Sequence, residues 1–233
     1  ETFARSIAEE IKGNNRRGQE TKLILPVGPT PQYPLLAEIT NREKISWKRV
    51  WTFNMDEYLD WQGRPVPEES PMSFKGYMKK NLFGMMDEEL RIPQGQAWFP
   101  DPSKADSMEE KIDELGGIDI AYGGIGYHGH IAFNEALDYW ELMSNEEFKQ
   151  LPTRVIRLAA TTKVINAVFG AGGSLQAVPN LAVTVGMRDI LNSRKLIFYL
   201  DWFWQKQVLR NVLFGPITPM FPASFLREHP DVT

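Results

Sequence analysis

The chain has 233 residues, enough to bury a full hydrophobic core, and we interpret residues 1–233 as one domain. Its 26 Lys and Arg against 30 Asp and Glu give a formal charge of −4, so it lacks the basic field that nucleic-acid partners require. Apolar residues occur only in runs far shorter than a membrane helix needs, and the absence of cysteine excludes disulfides, thiolate catalysis and cysteine-bound metals.

The expected location is the cytoplasm. A chain without cysteine fits a reducing compartment, and no segment has the pattern of a signal peptide. The chain begins at Glu1 rather than at a methionine, which is typical of a processed chain that has lost its first element.

Short apolar runs predict six strands, at residues 23–25, 50–53, 118–121, 155–156, 181–185 and 196–200. Several are continuously apolar, as in strands covered on both faces of a parallel sheet. Helical patterns lie between them, at residues 33–41, 73–82, 105–115, 162–169 and 202–213. In the third of these, Ser107 with Glu110 fits a capping box, and Gly116 and Gly117 fit the end of the helix. This alternation predicts a single α/β domain of the Rossmann-like, doubly wound class, with a mostly parallel sheet and helices on both faces.

The turn after the first predicted strand is a candidate phosphate cradle. Residues 25–31 read Leu-Pro-Val-Gly-Pro-Thr-Pro, which places Thr30 to cap a helix that has Pro31 in its first turn. The free N–H groups and positive dipole end of such a helix attract anions. An ordinary strand-turn-helix connection explains the same residues, and this segment alone favours that simpler interpretation because its glycines form neither a Walker loop nor a dinucleotide fingerprint.

The second predicted strand ends in a polar segment. Residues 54–58 read Asn-Met-Asp-Glu-Tyr, and ligands of open α/β sheets gather at the carboxyl ends of the strands. The adjacent acids Asp56 and Glu57 repel each other, and partial burial would raise the pKa of one of them into the range of a general base. A solvated loop carrying two acids is an equally good interpretation of the spacing alone.

The most informative segment follows the third predicted strand. Residues 123–135 read Gly-Gly-Ile-Gly-Tyr-His-Gly-His-Ile-Ala-Phe-Asn-Glu, and they include two of the three histidines in the chain. The glycines let the backbone approach a ligand closely. Because Glu135 follows five residues after His130, the segment is typical of a proton-transfer unit in which a carboxylate holds the tautomer of an imidazole.

A metal site is the alternative for these histidines. His128 and His130 would be two ligands, with Asp56 or Glu135 as the third. A His-x-His pair without a defined third ligand is a weak metal signal, so the sequence favours a site without metal. No Gly-x-Ser-x-Gly elbow is present to indicate a nucleophilic serine.

Together, residues 54–58 and 129–135 resemble the two signature segments of glucosamine-6-phosphate deaminases, also called isomerases. Residues 25–31 resemble the phosphate-binding turn of that family, residues 73–83 its helix after the active-site loop, and residues 178–186 a later strand. The resemblance runs from about Lys22 to about Gly215. The related 6-phosphogluconolactonases share the fold and the Gly-His pair, but the Asn-Met-Asp-Glu-Tyr segment indicates the deaminase branch.

The resemblance implies an enzyme that opens a sugar-phosphate ring, converts an aldose to a ketose through an enediol-type intermediate and releases the 2-amino group as ammonia, without a cofactor. It implies that Asp56 moves a proton between C2 and C1, and that Glu135 orients His130 for ring opening. The family includes monomers and hexamers, so a homo-oligomer is compatible with it. The residues that the resemblance assigns to substrate or phosphate binding are Gly28, Pro29, Thr30, Gly124 and Lys206.

Two positions depart from the family pattern. The deaminases have an aspartate where this chain has His128, which replaces an acceptor-only anion with a group that is neutral or cationic. They usually place a phosphate-binding arginine at about the position of Val168, and valine cannot bind phosphate in that way. A changed sugar substrate, isomerisation without deamination, a lactonase and a non-catalytic sugar-phosphate-binding protein therefore remain open. The retention of Asp56, His130 and Glu135 favours an enzyme, with His128 as a fourth candidate catalytic residue.

Overall fold

The computed structural model describes every residue except Pro29 and Tyr139. None of the helices in the described part of the chain is long and apolar enough to cross a membrane. The helices are α1 (Thr2–Arg16), α2 (Gln32–Glu43), α3 (Phe74–Asn81), α4 (Asp106–Glu114), α5 (Asn145–Lys149), α6 (Ala160–Gly170), α7 (Met187–Leu191) and α8 (Gln205–Phe214). The strands are β1 (Thr21–Leu25), β2 (Val50–Asn54), β3 (Asp56–Leu59), β4 (Ala97–Trp98), β5 (Ile120–Gly123), β6 (Arg154–Arg157), β7 (Leu181–Thr184) and β8 (Lys195–Phe198).

The main sheet has five parallel strands in the order β4-β2-β1-β5-β8. The chain builds outward from β1 to β2 and β4, then returns to β5 on the other side of β1 and continues to β8. This reversal is the topological switch point of a doubly wound sheet, where ligands of such folds bind. The predicted fold class is confirmed, and the switch point lies between the turns that follow β1 and β5.

A second sheet of three antiparallel strands, in the order β3-β7-β6, was not predicted. The runs at residues 155–156 and 181–185 belong to this sheet rather than to the main one. In β6 the exposure alternates along Arg154–Arg157, as expected for an antiparallel strand with one solvated face. The strand β3 begins inside the polar segment at residues 54–58, where the sequence indicated a loop.

The hydrophobic core lies on both faces of the main sheet. On one face α1 and α2 pack against it through residues such as Ile7 and Leu36. On the other face α4 and α8 do so through residues such as Ile112 and Val208. A smaller cluster that includes Phe133 lies against the second sheet. This third cluster brings the segment after β5 into contact with the β3-β7-β6 layer.

Some of the predicted helix ends are confirmed and others are wrong. Gly116 and Gly117 both have left-handed φ values, of 75° and 94°, and end α4 as predicted. The helix α4 has Ala105 at its N-cap with no side-chain cap, so the predicted capping role of Ser107 is wrong. The hydroxyl of Ser107 instead donates to the main-chain carbonyl of Lys104.

Glu57 is buried in β3 and fixes the start of α3. Its carboxylate accepts hydrogen bonds from the backbone N–H groups of Tyr58 (2.8 Å), Phe74 (3.0 Å) and Lys75 (2.8 Å), and from the hydroxyl of Ser73 (2.9 Å). Burial raises the pKa of Glu57, and these hydrogen bonds oppose that rise. The second acid of the polar segment is therefore a structural cap that joins the second sheet to a helix.

We expect Glu57→Ala to lower the free energy of unfolding by about 3 kcal/mol or more, because it leaves buried N–H groups without an acceptor. Glu57→Gln, which keeps one acceptor oxygen, should cost less. Urea denaturation of the purified variants measures both values. Glu69→Ala, at an exposed position in the preceding loop, is the control and should change the stability little. Equal stability of Glu57→Ala and the wild type would contradict the capping role.

Candidate functional site

The switch point brings two glycine turns side by side. A Cβ atom added at Gly124, after β5, would lie 3.9 Å from the carbonyl oxygen of Gly28, after β1, and 3.7 Å from that of Tyr199. The structure thus places Gly28 and Gly124, predicted from segments about a hundred residues apart, next to each other at the switch point. Folds of this class bind ligands in a crevice between the turns at that point.

Asp56 is the first residue of β3 and is almost fully buried, with 7% of its surface exposed. Its Oδ1 atom accepts hydrogen bonds from the N–H of Phe133 (3.1 Å) and the hydroxyl of Thr184 (2.5 Å). The other carboxylate oxygen, Oδ2, has no hydrogen bond to any residue that the structure describes. One oxygen is therefore fixed while the other is left for proton transfer.

The environment of Asp56 raises the pKa of its carboxyl from 3.8 to about 7. Burial is the largest cause, and the nearby carboxylates of Glu57 and Glu135 add to it. The hydrogen bonds from Thr184 and Phe133 oppose the rise. A carboxyl with this pKa exchanges its proton near neutral pH, as a general base needs.

The N–H group that reaches Asp56 depends on an unusual backbone conformation. Ala132 has a φ of 54°, in the left-handed region that residues with a side chain seldom adopt. The next residue, Phe133, also donates its N–H to the hydroxyl of Thr184 (2.9 Å). The side-chain amide of Asn134 donates to the carbonyl of Val185 (2.9 Å) and so fastens the segment to the end of β7. Local strain of this kind is typical of functional sites.

His128, His130 and Glu135 form a compact cluster beside Asp56. The Nδ1 atoms of the two imidazoles lie 3.1 Å apart. The Oε2 atom of Glu135 lies 3.4 Å from Nδ1 of His130 and 3.0 Å from Nε2 of His128. Thr162, at the start of α6, donates its hydroxyl to the same oxygen (3.0 Å), and the N–H of Ala159 donates to Oε1 (3.0 Å). The carboxylate is held on both oxygens, and the predicted pairing of His130 with Glu135 is present in the structure.

Burial by itself raises the pKa of Glu135, but its partners outweigh burial and hold the pKa well below the usual range. These partners are the imidazoles of His128 and His130 and the N–H of Ala159. Glu135 therefore stays ionised at neutral pH, whereas Asp56 titrates there. The two carboxyl groups of the site therefore differ in protonation near neutral pH, because their environments differ.

Gly126 makes room for the imidazole of His130. A Cβ atom at this position would lie 2.1 Å from both Cε1 and Nε2 of that ring. The N–H of Gly126 also donates to the carbonyl of His130 (2.9 Å). The edge of the ring that does not face Glu135 thus lies against bare backbone, which is a close approach that only glycine allows.

The start of α2 offers unpaired donors near the glycine crevice. Its N-cap is Pro31, and no side chain caps it, so the predicted capping role of Thr30 is wrong. The Nε2 atom of Gln32 is buried without a hydrogen-bond partner among the described residues. Thr30 is exposed, and its carbonyl accepts from the hydroxyl of Tyr77 (2.7 Å). Pro29, also predicted here, lies outside the described residues.

The remaining positions singled out from the sequence, Lys206 and Val168, are exposed. Gln205, the first residue of α8, donates its side-chain amide to the carbonyl of Ile125 (3.0 Å), which attaches this helix to the glycine segment. Lys206 is exposed, and its ammonium lies over the ring of Phe203, 4.1 Å from the centroid. Val168 lies on α6 and is 58% exposed. Lys206 reaches solvent at the start of α8 and has no described contact with the turn after β1.

Sequence reasoning missed the partners that tune the site. Thr184 lies 128 residues after Asp56 and ends a strand, and Thr162 begins a helix. Thr184 lies in the segment at residues 178–186 that resembles a strand of the family, but nothing in the sequence marks its hydroxyl as a partner of Asp56. The antiparallel pairing of Asp56 with Thr184 brings the two together. The signal that was available is Gly126, because a glycine four residues before a histidine at a strand end indicates a close backbone approach.

Known proteins are similar to this chain over nearly its whole length. No family model matches the chain. The glucosamine-6-phosphate deaminase of Rhodopirellula baltica is 34% identical over 239 residues, covering 100% of this chain and 88% of that protein. The glucosamine-6-phosphate deaminase of Aeromonas hydrophila is 33% identical and covers 97% of this chain and 82% of that protein.

Solved structures show the same relationship. A monomeric glucosamine-6-phosphate deaminase is similar with a TM-score of 0.82 at 29% identity, over 99% of this chain and 89% of that chain. The 6-phosphogluconolactonase of Thermotoga maritima is similar in fold, with a TM-score of 0.62 at 21% identity, over 95% of this chain and 90% of that chain. The sequence relatives and the first of these structures share the deaminase name.

We expect Asp56→Asn to be more stable than the wild type at pH 8, by up to roughly 4 kcal/mol, because folding then buries no charge at this position. The carboxyl has a pKa of 3.8 in its ordinary state and about 7 in the folded protein. Its raised pKa stabilises the protonated fold, so the wild type gains stability as the pH falls from about 7 to 3.8, and the difference should close over that range. Thermal melts of both proteins at several pH values measure it.

Asp201→Asn, at an exposed position, is the control for this experiment and should show no pH-dependent difference. The raised pKa predicts that the stability difference between Asp56→Asn and the wild type changes by roughly 4 kcal/mol between pH 4 and pH 8. A difference that is the same at every pH in this range would contradict the raised pKa.

Proposed function

Since this chain belongs to the glucosamine-6-phosphate deaminase family, we propose that it is an enzyme that converts an amino-sugar phosphate to a ketose phosphate and ammonia. The observation that carries the proposal is a buried carboxyl with a pKa of about 7, Asp56, in one site with the imidazole of His130 and an ionised Glu135. A carboxylate and an imidazole with separate tasks are what an aldose-ketose conversion needs.

Ring opening is the task that we assign to His130. The neutral imidazole accepts the proton of the anomeric hydroxyl, and a proton is delivered to the ring oxygen as the C1–O5 bond breaks. Glu135 lies beside Nδ1 of this ring (3.4 Å) and orients it. Nε2 has no hydrogen bond to any residue that the structure describes, and it is the atom that we assign to act on the sugar. The product of this step is the open aldehyde.

Proton transfer between carbons is the task that we assign to Asp56. Its ionised carboxylate removes the proton from C2, and the electron pair of that bond forms a C1–C2 double bond while the aldehyde oxygen gains a proton. Return of the proton to C1 moves the double bond to C2 and the amine nitrogen as an imine. Water then adds to C2 and ammonia leaves, which yields the ketose. Oδ2 of Asp56 is the atom we assign to this transfer, because Oδ1 is held by Phe133 and Thr184.

We place the phosphate in the crevice between the turns after β1 and β5. The close approach of Gly124 to Gly28, the uncapped start of α2 and the unpartnered amide of Gln32 support this placement. Thr30 belongs to the turn after β1, and Lys206 would supply a positive charge from α8. We also infer a cytoplasmic location, in line with the absence of cysteine.

The direct test is a substrate panel. Purified protein is incubated with glucosamine 6-phosphate, unphosphorylated glucosamine, N-acetylglucosamine 6-phosphate, glucose 6-phosphate and 6-phosphogluconolactone, and ammonia, ketose and acid are measured. We expect ammonia and ketose in equal amounts from the amino-sugar phosphate. Ketose without ammonia would restrict the reaction to isomerisation, and acid from the lactone alone would favour a lactonase. Ligand-induced thermal stabilisation without any product would indicate a binding protein.

We expect Asp56→Asn to lower kcat by at least about 100-fold, because an amide cannot accept the C2 proton. In the wild type, kcat/KM should rise with pH and level off above about pH 7, since the base form of Asp56 is the active one. Initial rates measured at about five pH values between 5 and 9 give this profile. Full activity of Asp56→Asn would remove Asp56 from the mechanism.

We expect Gly126→Ala to lower kcat by about 100-fold with the fold retained, because the added methyl group displaces the imidazole of His130. Steady-state kinetics and circular dichroism measure the two properties. Gly95→Ala is the matched control, because a Cβ atom there meets nothing within 4 Å. Equal loss of activity in both variants would contradict the specific role of Gly126.

A further inference from the structure

We propose that His128, His130 and Glu135 form a binding site for a divalent transition-metal ion such as Zn²⁺. Among the residues that the structure describes, 1–28, 30–138 and 140–233, these three are the group whose ligand atoms converge, all within 4.8 Å of one another. The sequence alone left the third ligand undefined, between Asp56 and Glu135. The structure assigns Glu135 to that position.

The separations between the ligand atoms match a metal site. Zinc bonds of about 2.0–2.1 Å in a tetrahedral arrangement place neighbouring ligand atoms about 3.3 Å apart. One imidazole gives one nitrogen to a given metal ion, so we take Nε2 of His128 and Nδ1 of His130 as the two nitrogen ligands. Oε2 of Glu135 lies 3.0 Å from the first and 3.4 Å from the second, and all three atoms lie within 4.8 Å of one another. Two imidazoles and a carboxylate are ligand types that Zn²⁺ takes, and three protein ligands leave a fourth position open to water or a sugar oxygen.

Hydrogen bonds alone do not satisfy this cluster. Nδ1 of His130 faces Nδ1 of His128, Oε2 of Glu135 and the hydroxyl of Thr162 (3.4 Å), yet it carries one proton or one lone pair. Nε2 of His128 is buried and has no hydrogen-bond partner, although Oε2 of Glu135 is only 3.0 Å away. A cation between these atoms would satisfy at once the lone pairs that a single proton cannot.

The surroundings hold the carboxylate in place for such a cation. Oε1 of Glu135 accepts from the N–H of Ala159 (3.0 Å), and Oε2 accepts from the hydroxyl of Thr162 (3.0 Å). Partners of this kind orient metal ligands and sustain the affinity of the site. The side chains of His128, His130 and Glu135 are 23%, 15% and 14% exposed, so an ion can enter from the solvent side.

A metal on Nδ1 of His130 has a consequence for the proposed reaction, and this consequence rests on that proposed function. A neutral imidazole with a metal on Nδ1 carries its proton on Nε2. Nε2 is the atom assigned to accept the anomeric proton, so the metal-bound protein cannot open the sugar ring. Zn²⁺ at one equivalent should therefore inhibit turnover, and a chelator should restore it.

The binding test uses the full chain without a histidine tag, treated with a chelator. Titration with Zn²⁺ in a calorimeter and with Co²⁺ by visible absorption should each show one equivalent of bound metal, with the d–d bands of a low-coordinate Co²⁺ site. His128→Asn and Glu135→Gln should each weaken binding by at least about 100-fold. His229→Asn is the matched control, because the third histidine lies elsewhere, bonded to the carbonyl of Ser193 and the N–H of Asp231.

Circular dichroism of each metal-free variant establishes that it is folded. Absence of one-equivalent binding in the wild type, or unchanged binding in both ligand variants, would overturn the site. Inhibition is tested separately: full turnover by the Zn²⁺-loaded protein would overturn the link to His130. If no member of the substrate panel is turned over, the calorimetric and Co²⁺ results still decide the metal site, so the two proposals fail independently.

Discussion

The backbone of Met55 connects the two sheets, and the position of the candidate site depends on this connection. Its N–H donates to the carbonyl of Leu25 at the end of β1 (3.0 Å), and its carbonyl accepts from the N–H of Val185 after β7 (2.8 Å). One residue thus connects the parallel sheet to the antiparallel one, and the next residue, Asp56, enters the second sheet opposite Thr184. The chain therefore passes from the first sheet to the second across a single residue, Met55. This change carries a carboxylate from a strand end into a buried position.

The three carboxyl groups in this region, Asp56, Glu57 and Glu135, differ in their hydrogen-bond partners and in what these do to the pKa. Glu57 is tied down by four hydrogen bonds at the start of α3. Glu135 is kept ionised by the imidazoles of His128 and His130. Asp56 has two hydrogen bonds, to one oxygen only, and burial dominates its pKa. Because the number and charge of their partners differ, Glu57 caps a helix, Glu135 stays ionised and Asp56 titrates near neutral pH.

The sequence was sufficient for the fold class and for the proximity of the candidate site residues, but not for the contacts that set their pKa values. Asp56, His130 and Glu135 follow strand ends, and the carboxyl ends of parallel strands meet at one edge of a sheet, so their proximity follows from pattern alone. The role of Glu57 was not predictable, because capping α3 depends on the path of the loop at residues 60–72. The second sheet was missed because strand β3 is polar in sequence yet buried along its whole length, a combination that hydrophobic periodicity cannot detect.

His128 determines which chemistry the cluster supports. With Nδ1 of His130 free of metal, the proton on that atom is shared toward Glu135, and Nε2 remains a base. Nδ1 of His128 lies 3.1 Å from Nδ1 of His130, and Nε2 of His128 lies 3.0 Å from Oε2 of Glu135 without a hydrogen bond to it. His128 thus contacts Nδ1 of His130 through one nitrogen and supplies the other, Nε2, as a ligand atom of the proposed metal site. The residues that hold His130 in the tautomer needed for ring opening would therefore also bind the metal ion that stops His130 from acting as a base.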